Sequence, residues 1–271
     1  MKLVSSSEKL KDCIDHYWVI AENNIKNPSL HAFPGINPEL IIPLHGHFEF
    51  HYKKKKYSSS GPLLFAHIDE SLKIDLSTLS SFVVVTFSSK GVSSLLPFTR
   101  IPSKALVKGS ILPTCHIWEN RIDILRTKLI GQDNEKTTDL LDECFEGLFN
   151  KKEGFVAEMC SDLKSIFSVN EILQLTGYSY STLQRYVKKE TGLTPSQFLK
   201  LKRFKSSLAH FYSTKSVDWM EYVCRFGYHD QSHFIHDFKR FTSFTPSLLS
   251  TTPCLLSHRP DLDFMTKIYN E

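Results

Sequence analysis

The chain has 271 residues, 41% of them hydrophobic and 23% charged, a composition that fits a globular protein of two domains and excludes disordered or collagen-like chains. Its longest apolar runs, at 40–44 and 82–85, fall far below the ~20 residues of a membrane span. The first residues lack a signal-peptide core, and six cysteines occur without a CxxC pair, so a cytoplasmic protein in a reducing compartment is expected. The net charge of +4 is unevenly placed. Residues 1–159 hold 19 Lys and Arg against 19 Asp and Glu, whereas residues 160–250 hold 12 against 7, as expected of a block that meets a polyanion.

In chain order, the first hundred residues read as β-structure. Short β-rich runs at 17–20, 39–44, 47–52, 63–65 and 82–87 alternate with Pro, Gly, Asn and Ser breakers, which predicts a small β-barrel or sandwich. Trp18, Phe33, Phe48, Phe50, Phe65 and Phe87 suit a barrel core and together offer enough aromatic area for a ligand pocket. His45, His47, Glu49 and His51 alternate along one strand, so they share a face with the chemistry of a Zn, Fe or Ni site, with His67 as a further ligand. Surface histidines on an edge strand are the simpler reading, and no bound metal is expected. Lys53 to Lys56 precede Tyr57-Ser58-Ser59-Ser60-Gly61 and read as a solvated hairpin tip. From Ile117 the apolar period becomes helical through Ile122, Leu125, Leu129, Leu141 and Phe145, with Gly131–Asn134 as the loop between two helices. A β-rich sensing or dimerisation domain is thus expected over 1–155, with helices at 117–150. A polar junction, Lys151-Lys152-Glu153-Gly154, closes it. No nucleophile elbow, P-loop or G-x-G-x-x-G occurs, so no enzymatic activity and no cofactor are expected.

The basic block contains a direct repeat. Ser168-Val-Asn-Glu171 and Asp218-Trp-Met-Glu221 both read as capping boxes, each opening a helix that ends at Gly177 or Gly227. Each glycine is followed by tyrosine, a second cap (Ser179 or Asp230) and a second helix. Helix, glycine turn and helix is the helix-turn-helix plan, here expected at 168–192 and 218–243. Between the copies, Thr194 caps a helix over 195–212 whose Phe198, Leu201, Phe204, Leu208 and Phe211 recur at helical spacing; about 17 residues give a rod of roughly 26 Å. Such a spacer suits two recognition helices in successive major grooves.

The outward faces of the second helices carry base-reading chemistry. In the first copy Leu183, Tyr186 and Val187 face inward, leaving Tyr180, Ser181, Gln184, Arg185 and Lys188 outside; arginine suits guanine, glutamine suits adenine and lysine suits phosphate. In the second copy Phe234, Phe238 and Phe241 form the buried stripe. Gln231, Ser232, Ile235, His236 and Lys239 take the outward places, with Ile235 able to touch a thymine methyl.

These residues resemble the AraC/XylS-type transcriptional regulators over about 160–250. The similarity lies in Gly177-Tyr-Ser-Tyr-Ser-Thr-Leu-Gln-Arg185, Lys188-Lys-Glu-Thr-Gly-Leu-Thr-Pro195, Arg203, Phe226-Gly-Tyr-His-Asp-Gln-Ser-His-Phe234, Phe238-Lys-Arg240 and Thr245-Pro246. The resemblance implies an all-α bi-helical DNA-binding domain at 156–252, followed by a tail at 253–271. It implies base contacts from Ser181, Gln184, Arg185, Gln231, Ser232, His233 and His236. Phosphate contacts are expected from Tyr180, Lys188, Lys189, Lys239 and Arg240. Ser243 replaces the glycine that Gly192 supplies in the first copy, Leu173 and Val223 stand where alanine is usual, and His236 stands where arginine is usual. The N-terminal half, through Tyr17-Trp18-Val19, Phe33-Pro34-Gly35 to Ile42, and Thr86-Phe87, is similar to a less characterised domain that often precedes this module, by analogy a cupin-like β-fold. An α+β chain of two domains is therefore expected, acting as a bacterial transcription regulator. Its expected partners are double-stranded promoter or operator DNA, a small-molecule effector, a second copy of itself, and RNA polymerase for an activator; no membrane partner is expected. The alternative is a cupin-like metal enzyme domain, using His45 and His47, fused to a DNA-binding module.

Overall fold

The computed structural model describes residues 2–20, 29–66, 68–75, 77–88, 110–148, 168–214 and 218–249. The expected boundary near 151–155, the tail at 253–271 and His67 lie outside the described residues. Among those described, the β-domain comprises β1 (Lys2–Val4), β2 (Ile14–Ile20), β3 (Ser29–Ala32), β4 (Glu39–Gly46), β5 (Phe48–Tyr52), β6 (Lys55–Ser59), β7 (Leu63–Phe65), β8 (Leu72–Asp75), β9 (Leu79–Phe87) and β10 (Ile111–Pro113). They form two antiparallel sheets, ordered β1-β2-β9-β4-β7-β10 and β3-β8-β5-β6. The architecture is a sandwich of open sheets; a single closed barrel is not formed by the described strands.

The apolar runs of β2, β4 and β9 follow from burial on both faces. Trp18, Ile20, Ile41, Phe82 and Val84 face the smaller sheet, where Phe48, Phe50, Leu72 and Ile74 meet them. The alternate residues Tyr17, Val19, Leu40, Ile42, Val83, Val85 and Phe87 pack under helices. Those helices are α1 (Cys115–Trp118), α2 (Arg121–Leu129) and α3 (Asn134–Glu146). Asp133 caps α3 by accepting from the Lys136 N–H, and Ile122, Leu125, Leu129, Leu141 and Phe145 supply the buried stripe. Each large side chain so buried contributes about 1.5–3 kcal/mol. Tyr17 Oη donates to Asp142 at 2.7 Å and fastens α3 to the sheet.

Lys53 and Lys54 form the tip of the β5–β6 hairpin, both in the left-handed region (φ 48° and 60°). Lys56 pairs with Glu49 at 2.8 Å. Phe48, Phe50 and Tyr52 turn inward along β5, so Glu49 and His51 turn outward, with His51 in solvent. Among the described residues no three or more His, Cys, Asp or Glu come together to hold a metal. Cys13 is buried, whereas Cys115 and Cys224 are exposed rather than packed.

The helical module consists of α4 (Val169–Thr176), α5 (Tyr180–Thr191), α6 (Pro195–Thr214), α7 (Trp219–Phe226), α8 (Gln231–Thr242) and α9 (Pro246–Leu249). One apolar cluster runs through it, centred on Phe198, Leu201, Phe204 and Leu208 of α6. Phe33 and Ile36, from the segment between β3 and β4, join this cluster rather than the sandwich. Phe33 therefore contributes to the contact between domains, not to a barrel core.

Candidate nucleic-acid interface

The repeat is built as its glycines require. Gly177 and Gly227 end α4 and α7 at φ 67° and 65°, the left-handed C-cap that lets the chain turn into the second helix of each unit. Ser179 then caps α5 by accepting from the Thr182 N–H at 3.2 Å, and Asp230 caps α8 by accepting from the His233 N–H at 2.7 Å. A hydrogen bond from the His229 ring, followed by that backbone N–H, holds the Asp230 carboxyl below its usual range. The first helices depart from the expected boxes. Ser168 adopts the cap backbone without a side-chain cap bond, and Asp218 caps through the Met220 N–H. Glu221 pairs with His210 of α6 at 2.6 Å, tying the second unit to the connecting helix. The reciprocal box appears at the start of α6 instead: Thr194 N–H donates to Gln197 Oε1, and Gln197 N–H donates to Thr194 Oγ1. At 20 residues α6 is about 30 Å long and runs two residues past the expected end at 212.

On α5, Leu183 and Val187 are buried, while Tyr180, Ser181, Arg185, Lys188 and Lys189 are exposed and Gln184 is half-buried. Tyr186 is half-buried rather than core. Its ring meets that of Tyr178 in a tilted contact at 5.9 Å and carries the Arg185 guanidinium at 5.4 Å, which restrains Arg185 without sequestering it. Ser181 Oγ sits 2.9 Å from Ser179 Oγ at the cap.

On α8, Phe234, Phe238 and Phe241 are buried as the period requires, and Gln231, Ser232, His236, Lys239 and Arg240 are exposed. Ile235 is not fully outward; it packs partly against the apolar cluster. His233 is also engaged within the unit. Its Nδ1 accepts the His229 N–H at 3.3 Å, so the ring proton belongs on Nε2, which faces Asp237 Oδ2 at 3.4 Å. Nδ1 therefore has a hydrogen-bond partner inside the unit, while Nε2 lies near the Asp237 carboxylate without a hydrogen bond to it.

Asp237 is the residue the sequence reading missed. It is 1% exposed, in the buried stripe between Phe234 and Phe241, and Lys200 Nζ of α6 lies 2.8 Å from its Oδ1 at an angle poor for a hydrogen bond. The signal was present: positions 234, 237, 238 and 241 form one helical face, so a carboxylate there demands a buried cation. Arg203, also on α6, lies over the ring of Tyr228 at 5.1 Å, and burial pushes that tyrosine's hydroxyl pKa up to about 12. Ser243 ends α8 at φ 67°, matching Gly192 at φ 71°. The exit turn is thus preserved despite the missing glycine, and Ser243 Oγ meets Ser71 Oγ of the β-domain at 2.9 Å.

Residues 172–251 match a family described as a helix-turn-helix domain. No curated protein matches the chain. Among solved structures it is similar to unsaturated-fatty-acid-bound wild-type ToxT from Vibrio cholerae strain SCE256, at 14% identity and a TM-score of 0.50, covering 90% of this chain and 98% of that one. ToxT from Vibrio cholerae O395 gives 14% identity, coverage of 86% and 95%, and a TM-score of 0.47. The AraC-like transcriptional activator CuxR gives 12% identity, coverage of 72% and 74%, and a TM-score of 0.25. At these identities the likeness to the first of them is one of fold.

Proposed function

Since residues 172–251 form a helix-turn-helix domain of the AraC type, we propose that this chain is a sequence-specific DNA-binding transcription regulator whose two recognition helices read successive major grooves. The observation that carries the reading is the exposed row on α5. Ser181 and Arg185 stand exposed, with half-buried Gln184 between them, on a capped helix whose opposite face is buried. In the second unit Gln231, Ser232, His233 and His236 contact bases, with His233 positioned by the His229 N–H on its Nδ1. Tyr180, Lys188, Lys189, Lys239 and Arg240 contact phosphates, which sets register without reading sequence. The β-domain over about 1–155 binds an effector or dimerises and thereby controls the domain over about 156–252. Fatty-acid-bound ToxT shares the fold and supports a ligand-binding role for the β-domain. The chain acts in the cytoplasm, and as an activator it would meet RNA polymerase.

Selection of binding sites from random duplexes with the full-length chain tests this. The expected site has two short conserved blocks about one helical turn, ~10 base pairs, apart. Binding without sequence preference would overturn the proposal. Lys239→Ala should weaken binding to all duplexes alike and reduce the salt slope by about 1.

A further inference from the structure

Across β2, β9 and β4 the pairing register sets His16 opposite Thr86 and Thr86 opposite Glu39, placing three polar residues in one rung of a sheet that is otherwise apolar there. This rung, with Asp15, Phe33, Asn37, Phe65 and Lys205, lines a cavity of about 40 Å³ between the sandwich and α6. The cavity admits about three water-sized groups, since each requires about 10–15 Å³. Thr86 Oγ1 is buried with no hydrogen-bond partner among the described residues. Asp15 and His16 pair with each other at 3.2 Å. Lys205 acts on Glu39 through charge and also has another partner. Burial without enough compensation raises the Glu39 pKa to about 8, so at neutral pH the carboxyl keeps its proton. A polar row that costs desolvation and leaves the Thr86 hydroxyl unmet is a site built for something absent from the fold itself.

We propose that this cavity binds a small organic cation, an alkylammonium head group, whose N–H bonds go to Glu39 and Thr86. Binding exchanges the Glu39 proton for the ligand's charge. The site's total charge is then unchanged, and nearby Lys205 meets no added positive charge. An anion would leave Glu39 protonated and would meet the Asp15 carboxyl on the cavity wall, the alternative that the propionate arm tests below; a long acyl chain has no room in this volume. The cavity touches both Phe33, which packs into the helical module, and Lys205 of the connecting helix, so occupancy couples the two domains. That regulatory consequence rests on the function proposed above; the binding itself does not.

The test is calorimetry and thermal denaturation of the full-length chain with ethylammonium chloride. Sodium propionate serves as the anionic arm and tetramethylammonium chloride as a cation without N–H. Ethylammonium should stabilise saturably at millimolar concentrations, the range expected for a ligand of three heavy atoms. Its binding should release protons at pH 7, read as a heat that depends on the buffer. Its affinity should rise about fivefold from pH 7 to pH 8, as the ionised fraction of a group with a pKa of about 8 does. The charged groups facing Glu39 are Asp15 and His16 from β2 and Lys205 from α6. Glu39→Gln should abolish the response, and Thr86→Val should weaken it severalfold, which covers the case of a poorly folding Glu39 variant. Saturable binding of propionate, equal binding of tetramethylammonium, or no saturable response would each overturn the proposal. Failure to select any DNA sequence would sink the regulator reading while leaving the calorimetry intact, so the two fail separately.

Discussion

The two helix-turn-helix units share a plan and differ in how their recognition helices are fastened. In the first unit α5 is held by apolar contact, with Leu183 and Val187 buried and Tyr186 in a tilted ring contact with Tyr178. In the second, charge is added: Lys200 of α6 lies beside Asp237 in the core stripe of α8, and Glu221 of α7 pairs with His210 of α6. Both Lys200 and His210 belong to α6, so the connecting helix is a partner in the second unit as well as a spacer. The Lys200–Asp237 pair adds a charge contact between α6 and α8 to the apolar packing of the stripe.

Removing the charge fastening should have the largest effect. Lys200→Met leaves the Asp237 carboxylate buried without its nearest cation, at an expected cost of about 3 kcal/mol, the low end for a broken buried pair because Lys200 is itself a third exposed. Replacing both residues by apolar ones, Lys200→Met with Asp237→Leu, should recover most of the loss. Chemical denaturation of the two variants checks both statements, and a double variant as unstable as the single one would show that the pair is not the fastening. On DNA, Arg185→Ala should cost about 1–3 kcal/mol on the selected site and relax preference at one base pair. His236→Ala should cost less, because a single imidazole bond replaces a bidentate one. Equal losses for Arg185→Ala on specific and random duplexes would remove its base-reading role.

The repeat, its glycine turns and the outward row of α5 were legible in the sequence because each depends on local chemistry: a left-handed cap, a side-chain acceptor and a helical period. The paired β2, β4 and β9 were legible as apolar runs. The edge strands β1, β3 and β10 were not, because each takes its conformation from a neighbour in the sheet. Phe33 was misplaced for the same reason, since it joins the apolar cluster of the helical module far along the chain and no local pattern announces that. The Glu39–Thr86–His16 row was invisible because it exists only across three strands in register. Asp237 is the opposite case. The stripe of α8 already marked it as buried, and only the identity of its cation needed the fold.

The smallest expected effect separates the two exit turns. Gly192 and Ser243 hold nearly the same backbone, but a residue with a Cβ is strained there by about 1 kcal/mol. Gly192→Ser should therefore destabilise the first unit by about that amount. Ser243→Gly should stabilise the second by somewhat less, because it also removes the hydroxyl contact with Ser71 and leaves a more flexible unfolded chain. Thermal denaturation of the two variants compares the terms directly. If Ser243→Gly destabilises, the contact across the domains outweighs the backbone strain, and the serine is retained because it couples the β-domain to the end of the second recognition helix.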